Sequence, residues 1–185
     1  MTTRHVVVCA AVRAPIGKFG GSLKDVTTVD LGSAVVRAAV ARAGIDPARI
    51  ERAFVGNVIH TDMRDMYLAR AVAINGGLSI ETPALTLNRV CGSGLQAIIS
   101  AAQAIMLGDC DVALAGGVES MSRAPYWLPS LRWGQRINDS TVRDPMVGAT
   151  TDPFAGCAMG VTAENVATRY GCLLYTSPSP RDQRG

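Results

Sequence analysis

Apolar positions along this chain follow two different periods. Short apolar runs bounded by turn formers occur at His5 to Val12, Ala53 to Ile59, Pro83 through Leu87 into Asn88, and Asp111 to Val118, and they predict four strands. Helical periods lie between them. Thr27 with Asp30 three residues later fits a capping pair, and Leu31, Val35, Val36, Ala39 and Val40 draw one apolar stripe that stops at Gly44. Asp46 followed by Pro47 predicts a short helical turn, with the Asp as cap and the Pro at the first helical position. Asp65 to Asn75 reads as a helix closed by Gly76 and Gly77, and Leu95 to Leu107 as a helix closed by Gly108. The latter is small or apolar nearly all round, which predicts burial between layers. Strands alternating with helices imply an α/β fold with a mostly parallel sheet and right-handed crossovers.

The pattern changes near Met121. Pro, Trp, Arg and Asn replace periodic apolar runs through Arg123, Ala124, Pro125, Tyr126 and Trp127 and on to Pro153, as expected of an insertion. Three regions follow: a core over residues 4–120, the start of an insertion over 121–171, and a tail over 172–185. The tail, rich in Ser, Pro and Arg without any period, predicts disorder and looks like translated cloning or adaptor sequence joined to a natural chain.

The chemistry concentrates at Cys91, which stands between the apolar run ending at Leu87 and the helix that follows. A helix start offers free N–H groups and the positive end of the helix dipole, and Gly92, Ser93 and Gly94 are small neighbours. These favour a thiolate, the nucleophilic form. On position alone, a small buried cysteine where a strand meets a helix is an equal alternative.

Other residues change the picture less. The 185 residues suffice for one domain with a full core, and a net charge of +3 without a basic run gives no support for nucleic-acid binding. No signal peptide is read at Met1 to Val8, and no apolar stretch approaches the roughly 20 residues that span a bilayer. Five cysteines, with no Cys-x-x-Cys pair, suggest neither a zinc site nor a disulfide framework, so a reduced, cytoplasmic setting is expected. The loop through Gly17, Gly20 and Gly21 lacks phosphate-loop spacing and reads as a structural turn. His5 and His60 are the only histidines, each at a strand, and neither is placed as a base. Asn88 is read either as holding the turn before Cys91 through its amide or as a simple turn former. Glu119 and Glu164 stand without a partner carboxylate and read as structural hydrogen-bonders.

The window LNRVCGSGLQA, Leu87 to Ala97, resembles the active-site cysteine signature of the thiolases. Three further segments resemble thiolase motifs in the family's order: Val12 to Gly21, Gly116 to Ser122, and Met159 to Ala167. Together they cover residues 4–171, most closely in the manner of bacterial β-ketothiolases of the acetyl-CoA acetyltransferase type. The resemblance implies the first half of a layered α-β-α-β-α fold, with the cysteine helix as the central layer and the loop domain beginning after residue 120. It implies acyl transfer through a Cys91-bound acyl intermediate, acting on acetyl-CoA and 3-ketoacyl-CoA. CoA thioesters would be the substrates, with no metal or other cofactor, and the full-length form would be a homodimer or homotetramer that engages neither nucleic acid nor membrane.

Two departures accompany the resemblance. The family's catalytic His lies in a Gly-His-Pro motif of the second half, together with its second Cys and an oxyanion-hole Asn, and this chain contains no Gly-His-Pro. Ala158-Met159 stands where acetoacetyl-CoA-type relatives carry His-Met, which leaves Met159 as a candidate acyl-pocket residue beside the alternative of a core Met. A catalytically inert truncated fragment and a condensing enzyme of the ketoacyl synthase type are the competing readings.

Overall fold

The computed structural model describes residues 4–173. Of these, residues 4–143 form one compact unit and residues 144–173 another. The expected tail, from Leu174 on, lies outside the described residues.

The first unit is built in three layers. Helix α1 (Thr28–Ala43) starts where the Thr27 hydroxyl accepts the Asp30 N–H and ends at Gly44, whose left-handed φ of 63° lets its N–H return to Val40 and Ala41. Strand β1 (Arg52–Gly56) follows, after a short 3-10 turn capped by Asp46. Helix α2 (Leu68–Asn75), strand β2 (Ala84–Leu87), helix α3 (Ser93–Leu107) and strand β3 (Ala113–Gly117) complete the unit's α-helices and strands among the described residues.

Among the described residues the sheet has three parallel strands in the order β2-β1-β3. The chain therefore steps one way from β1 to β2 and back across β1 to reach β3. Crossovers of one hand that run in opposite directions must lie on opposite faces. The packing agrees: α1 and α2 bury Val29, Val36, Leu68, Ala69 and Val72 against Ala53 and Val55, whereas α3 buries Ala97, Ala101 and Ala104 against Phe54. Successive β1 residues thus serve opposite cores, as a strand's period of two requires.

Three expectations are corrected. Residues His5 to Val12 join no ladder; Val7 and Val8 are exposed, and the segment is tied instead by an Arg4 ion pair to Asp111 at 2.6 Å and by Arg42 donating to the Ala11 carbonyl. An extended segment without a neighbouring strand has apolar alternation but no strand hydrogen bonds. The helix expected from Asp65 begins at Leu68, because residues Met63–Tyr67 form a 3-10 turn in which Asp62 and Asp65 make a reciprocal capping box. Glu164, on α5 (Met159–Tyr170), is exposed and makes no side-chain hydrogen bond among the described residues.

Helix α3 is buried on its sheet side, while Leu95, Ile98, Met106 and Leu107 lie exposed on the other. The 18-residue window Val90–Leu107 is by length and composition apolar enough to be a candidate membrane span, which the sequence had not suggested. Its helical part is 15 residues, about 22 Å at 1.5 Å per residue, against a hydrocarbon core of roughly 30 Å. With one side seated on the sheet, α3 is a core helix of the domain.

The second unit contains the short helix α4 (Pro145–Ala149), capped by Asp144, and α5, which closes at Gly171. Asp152 accepts the Phe154 and Ala155 N–H groups, which hold its carboxyl below the ordinary range. The Met159 N–H donates to the Thr150 carbonyl at 2.9 Å, fixing the start of α5.

Candidate active site

The carboxyl ends of the three strands converge on the start of α3. In open parallel sheets this edge is where ligands bind, because loops there can vary while the strands hold them. Gly56 and Gly117 end β1 and β3, and both lie against the first turn of α3. A Cβ on Gly56 would meet Ser93, and one on Gly117 would stand 3.2 Å from the Gly94 Cα. Small residues at both ends let the helix start sit directly on the sheet edge.

Between β2 and α3 the chain makes a tight turn carrying Cys91, whose side chain is exposed. Val90 takes a left-handed φ of 48°. For a β-branched residue this is a sparsely populated conformation costing about 1–3 kcal/mol. Side chains hold it in place. Asn88 Oδ1 accepts the Val90 N–H at 2.8 Å; the buried Ser93 hydroxyl accepts the Arg89 N–H at 2.8 Å and donates to the Val90 carbonyl at 2.6 Å. The Arg89 guanidinium reaches Gln96 Oε1 at 2.6 Å, tying the turn to the helix. The turn before Cys91 is thus held by the Asn88 side-chain oxygen. Gly92 caps α3 without a side-chain hydrogen bond, and the Gly92 and Ser93 N–H groups return to the Arg89 and Val90 carbonyls at 3.0 Å each.

Two polar residues brace the neighbouring strand ends. Asn57, 1% exposed, donates its side-chain N–H to the Val118 carbonyl at 3.0 Å, and its backbone N–H pairs with the Leu87 carbonyl. Its Oδ1 is buried without a partner among the described residues. The Glu119 carboxylate accepts the Val58 and Ile59 N–H groups, a structural hydrogen-bonding role. Partial burial raises the Glu119 pKa above its ordinary value, and the two amides pull it back only in part. Sequence reasoning missed Asn57; a polar residue directly after a buried strand was the only local signal.

His60 is exposed and lies near enough to Glu119 to favour its charge, but makes no hydrogen bond to Cys91; His5 is likewise exposed. Met159 opens α5 in the second unit and is 43% exposed. Cys110 is buried, which pushes its thiol pKa up. Among the described residues no group of three or more His, Cys, Asp and Glu side chains could hold a metal ion.

Residues 6–173 match the family described as thiolase, N-terminal domain. The chain belongs to the thiolase family. It is 60% identical over 168 residues to the beta-ketothiolase BktB of Cupriavidus necator, covering 91% of this chain and 43% of that protein. It is 45% identical over 172 residues to an acetyl-CoA acetyltransferase of Syntrophomonas wolfei, again covering 91% and 43%. The crystal structure of the Bacillus anthracis acetyl-CoA acetyltransferase superposes with a TM-score of 0.86 at 42% identity, over 92% of this chain and 43% of that one. Human mitochondrial 3-ketoacyl-CoA thiolase in complex with CoA gives 0.85 at 39% identity, over 89% and 42%. The chain therefore spans less than half the length of these thiolases, and its α/β fold is theirs over that part.

Proposed function

We propose that this chain carries the acyl-accepting part of an acyl-CoA C-acyltransferase, with Cys91 as the nucleophile. The observation that carries the reading is the exposed Cys91 on a strained, side-chain-braced turn at the start of α3, inside the segment that matches the thiolase family. The Cys91 sulfur attacks the carbonyl carbon of an acyl-CoA thioester, a new C–S bond forms, and the C–S bond to CoA breaks. CoA leaves as its thiolate and takes up a proton, and the acyl group stays on Cys91 until a second acceptor removes it. The N–H groups at the start of α3 stabilise the oxyanion formed on attack.

Acetyl-CoA and 3-ketoacyl-CoA are the proposed substrates, supported by the names of the relatives. No cofactor beyond the CoA thioester takes part in this scheme. Met159 is proposed as an acyl-pocket residue, supported by its partial exposure at the end of a helix. A reducing, cytoplasmic setting belongs to the proposal, since an exposed thiol must stay reduced to act. A homodimeric or homotetrameric full-length form is also proposed, supported by the exposed Tyr126, Trp127 and Trp133. The regions 4–120 and 121–171 are kept as core and start of the loop domain.

Intact-mass measurement after incubation with acetyl-CoA tests the reading. The expected result is one acetyl adduct, mapped to Cys91 and absent from Cys91→Ala. An unmodified protein whose Cys91 still reacts with iodoacetamide would instead favour the second reading, a chain inert on its own, which the lack of any histidine hydrogen-bonded to Cys91 among the described residues supports.

A further inference from the structure

We propose that Asn88 is a positioning residue for Cys91, acting by holding Val90 in its left-handed conformation. The inference rests on Cys91 being the reactive thiol, but its test does not require acyl transfer. A left-handed valine reverts to an extended or right-handed conformation unless its surroundings over-determine it. Three side-chain hydrogen bonds do so here, beside the Ser93 N–H that donates to the Val90 carbonyl at 3.0 Å. Two belong to the Ser93 hydroxyl, which is buried and shares its site with Gly56, so its loss would disturb packing as well. The third, from the Val90 N–H to Asn88 Oδ1, comes from an exposed side chain that makes no other hydrogen bond among the described residues. Asn88 can therefore be changed without cutting into the core.

The Val90 conformation sets the direction in which the chain leaves β2. With Val90 left-handed, the chain reverses within three residues, and Cys91 arrives one position ahead of the Gly92 cap. That places the Cys91 backbone directly before the positive end of α3, where a helix start favours a nucleophilic sulfur during attack on an electrophile. If Val90 relaxes, Cys91 swings away from that end. Asn88 would thus raise the reactivity of Cys91 without touching the reacting atoms.

The test is a double-mutant cycle read by iodoacetamide labelling at one pH, with the rates at Cys91 and the exposed Cys9 taken from the same digest. Asn88→Ala is expected to lower the Cys91-to-Cys9 rate ratio about tenfold, within the coupling range of directly bonded neighbours. Asn88→Asp keeps an acceptor oxygen and is expected to restore the ratio. Val90→Gly removes the penalty for left-handed backbone, so Asn88→Ala in that background is expected to leave the ratio unchanged. An equal loss in both backgrounds, no loss in either, or no restoration by Asn88→Asp would each overturn the proposal. The buried Cys110 reports folding in the same sample; should Asn88→Ala expose it, Asn88→Leu, of similar shape without the acceptor, takes its place in the cycle. Failure to form an acetyl adduct, with this labelling pattern intact, would count against the acyl-transfer reading alone.

Discussion

Gly56 at the end of β1 stands so close to Ser93 at the start of α3 that a Cβ added to it would lie 2.6 Å from the Ser93 carbonyl carbon. The obstacle is backbone, so it cannot turn aside. Gly56→Ala is expected to lose about 1–3 kcal/mol of stability through overpacking. Gly116→Ala, where a Cβ meets nothing within 4 Å, is expected to be neutral or to gain up to ~1 kcal/mol. Urea denaturation of the two variants checks the contrast; equal midpoints would refute it.

Glu119 makes the stability of the strand-end brace depend on pH. Its folded-state pKa lies above the ordinary 4.5 because burial disfavours the charge, so the folded chain holds the proton more tightly than the unfolded chain. That contribution is fully present below pH 4.5 and is lost as pH rises through the folded pKa. Glu119→Gln removes this dependence. The melting temperature of the variant should therefore gain on that of the native chain as pH climbs above 4.5, and parallel melting curves would show that Glu119 contributes no such slope.

Asp65 is fully buried and accepts hydrogen bonds from the Thr28 hydroxyl, from both the N–H and hydroxyl of Thr61, and from the Asp62 N–H. It joins α1 to the loop after β1. Asp65→Ala leaves the buried Thr28 hydroxyl and the half-buried Thr61 and Asp62 donors without this acceptor and should cost about 2–3 kcal/mol. Thermal unfolding monitored by circular dichroism measures the loss.

Cysteine labelling should follow burial. Cys9 and Cys91 are exposed, whereas Cys110 is both covered and raised in pKa by that burial. Iodoacetamide at neutral pH is expected to label the first two well before Cys110 in the folded chain. In denaturant the delay at Cys110 should vanish, as peptide mass mapping over time would show.

Helices α1 and α3 were legible because their signals are local. Thr27 beside Asp30, and Gly44 and Gly108 at positions needing positive φ, act within a turn of where they stand. Strand ends were less legible because they depend on distant residues. Only Asn57 interrupts the apolar run from Ala53 to Ile59, yet the ladder stops at Gly56, since the Val58 and Ile59 amides are taken by Glu119, some sixty positions away. The Asn57 bond to Val118 has the same separation and left no trace in the local pattern. At the candidate site, the position of Cys91 could be read from the chain, but the left-handed Val90 could not: valine disfavours that conformation, and only the Asn88 and Ser93 bonds explain it.

The strand order has a consequence for synthesis on the ribosome. β1 emerges first but is the middle strand, so its second edge and its Phe54 face stay uncovered until β3 and α3 have followed. That interval is roughly 60 residues, or about 3–12 s at typical elongation rates. For those seconds the nascent chain presents an open strand edge next to an apolar face. Chaperone capture and premature association would therefore act on β1 itself, until α3 and β3 have been made.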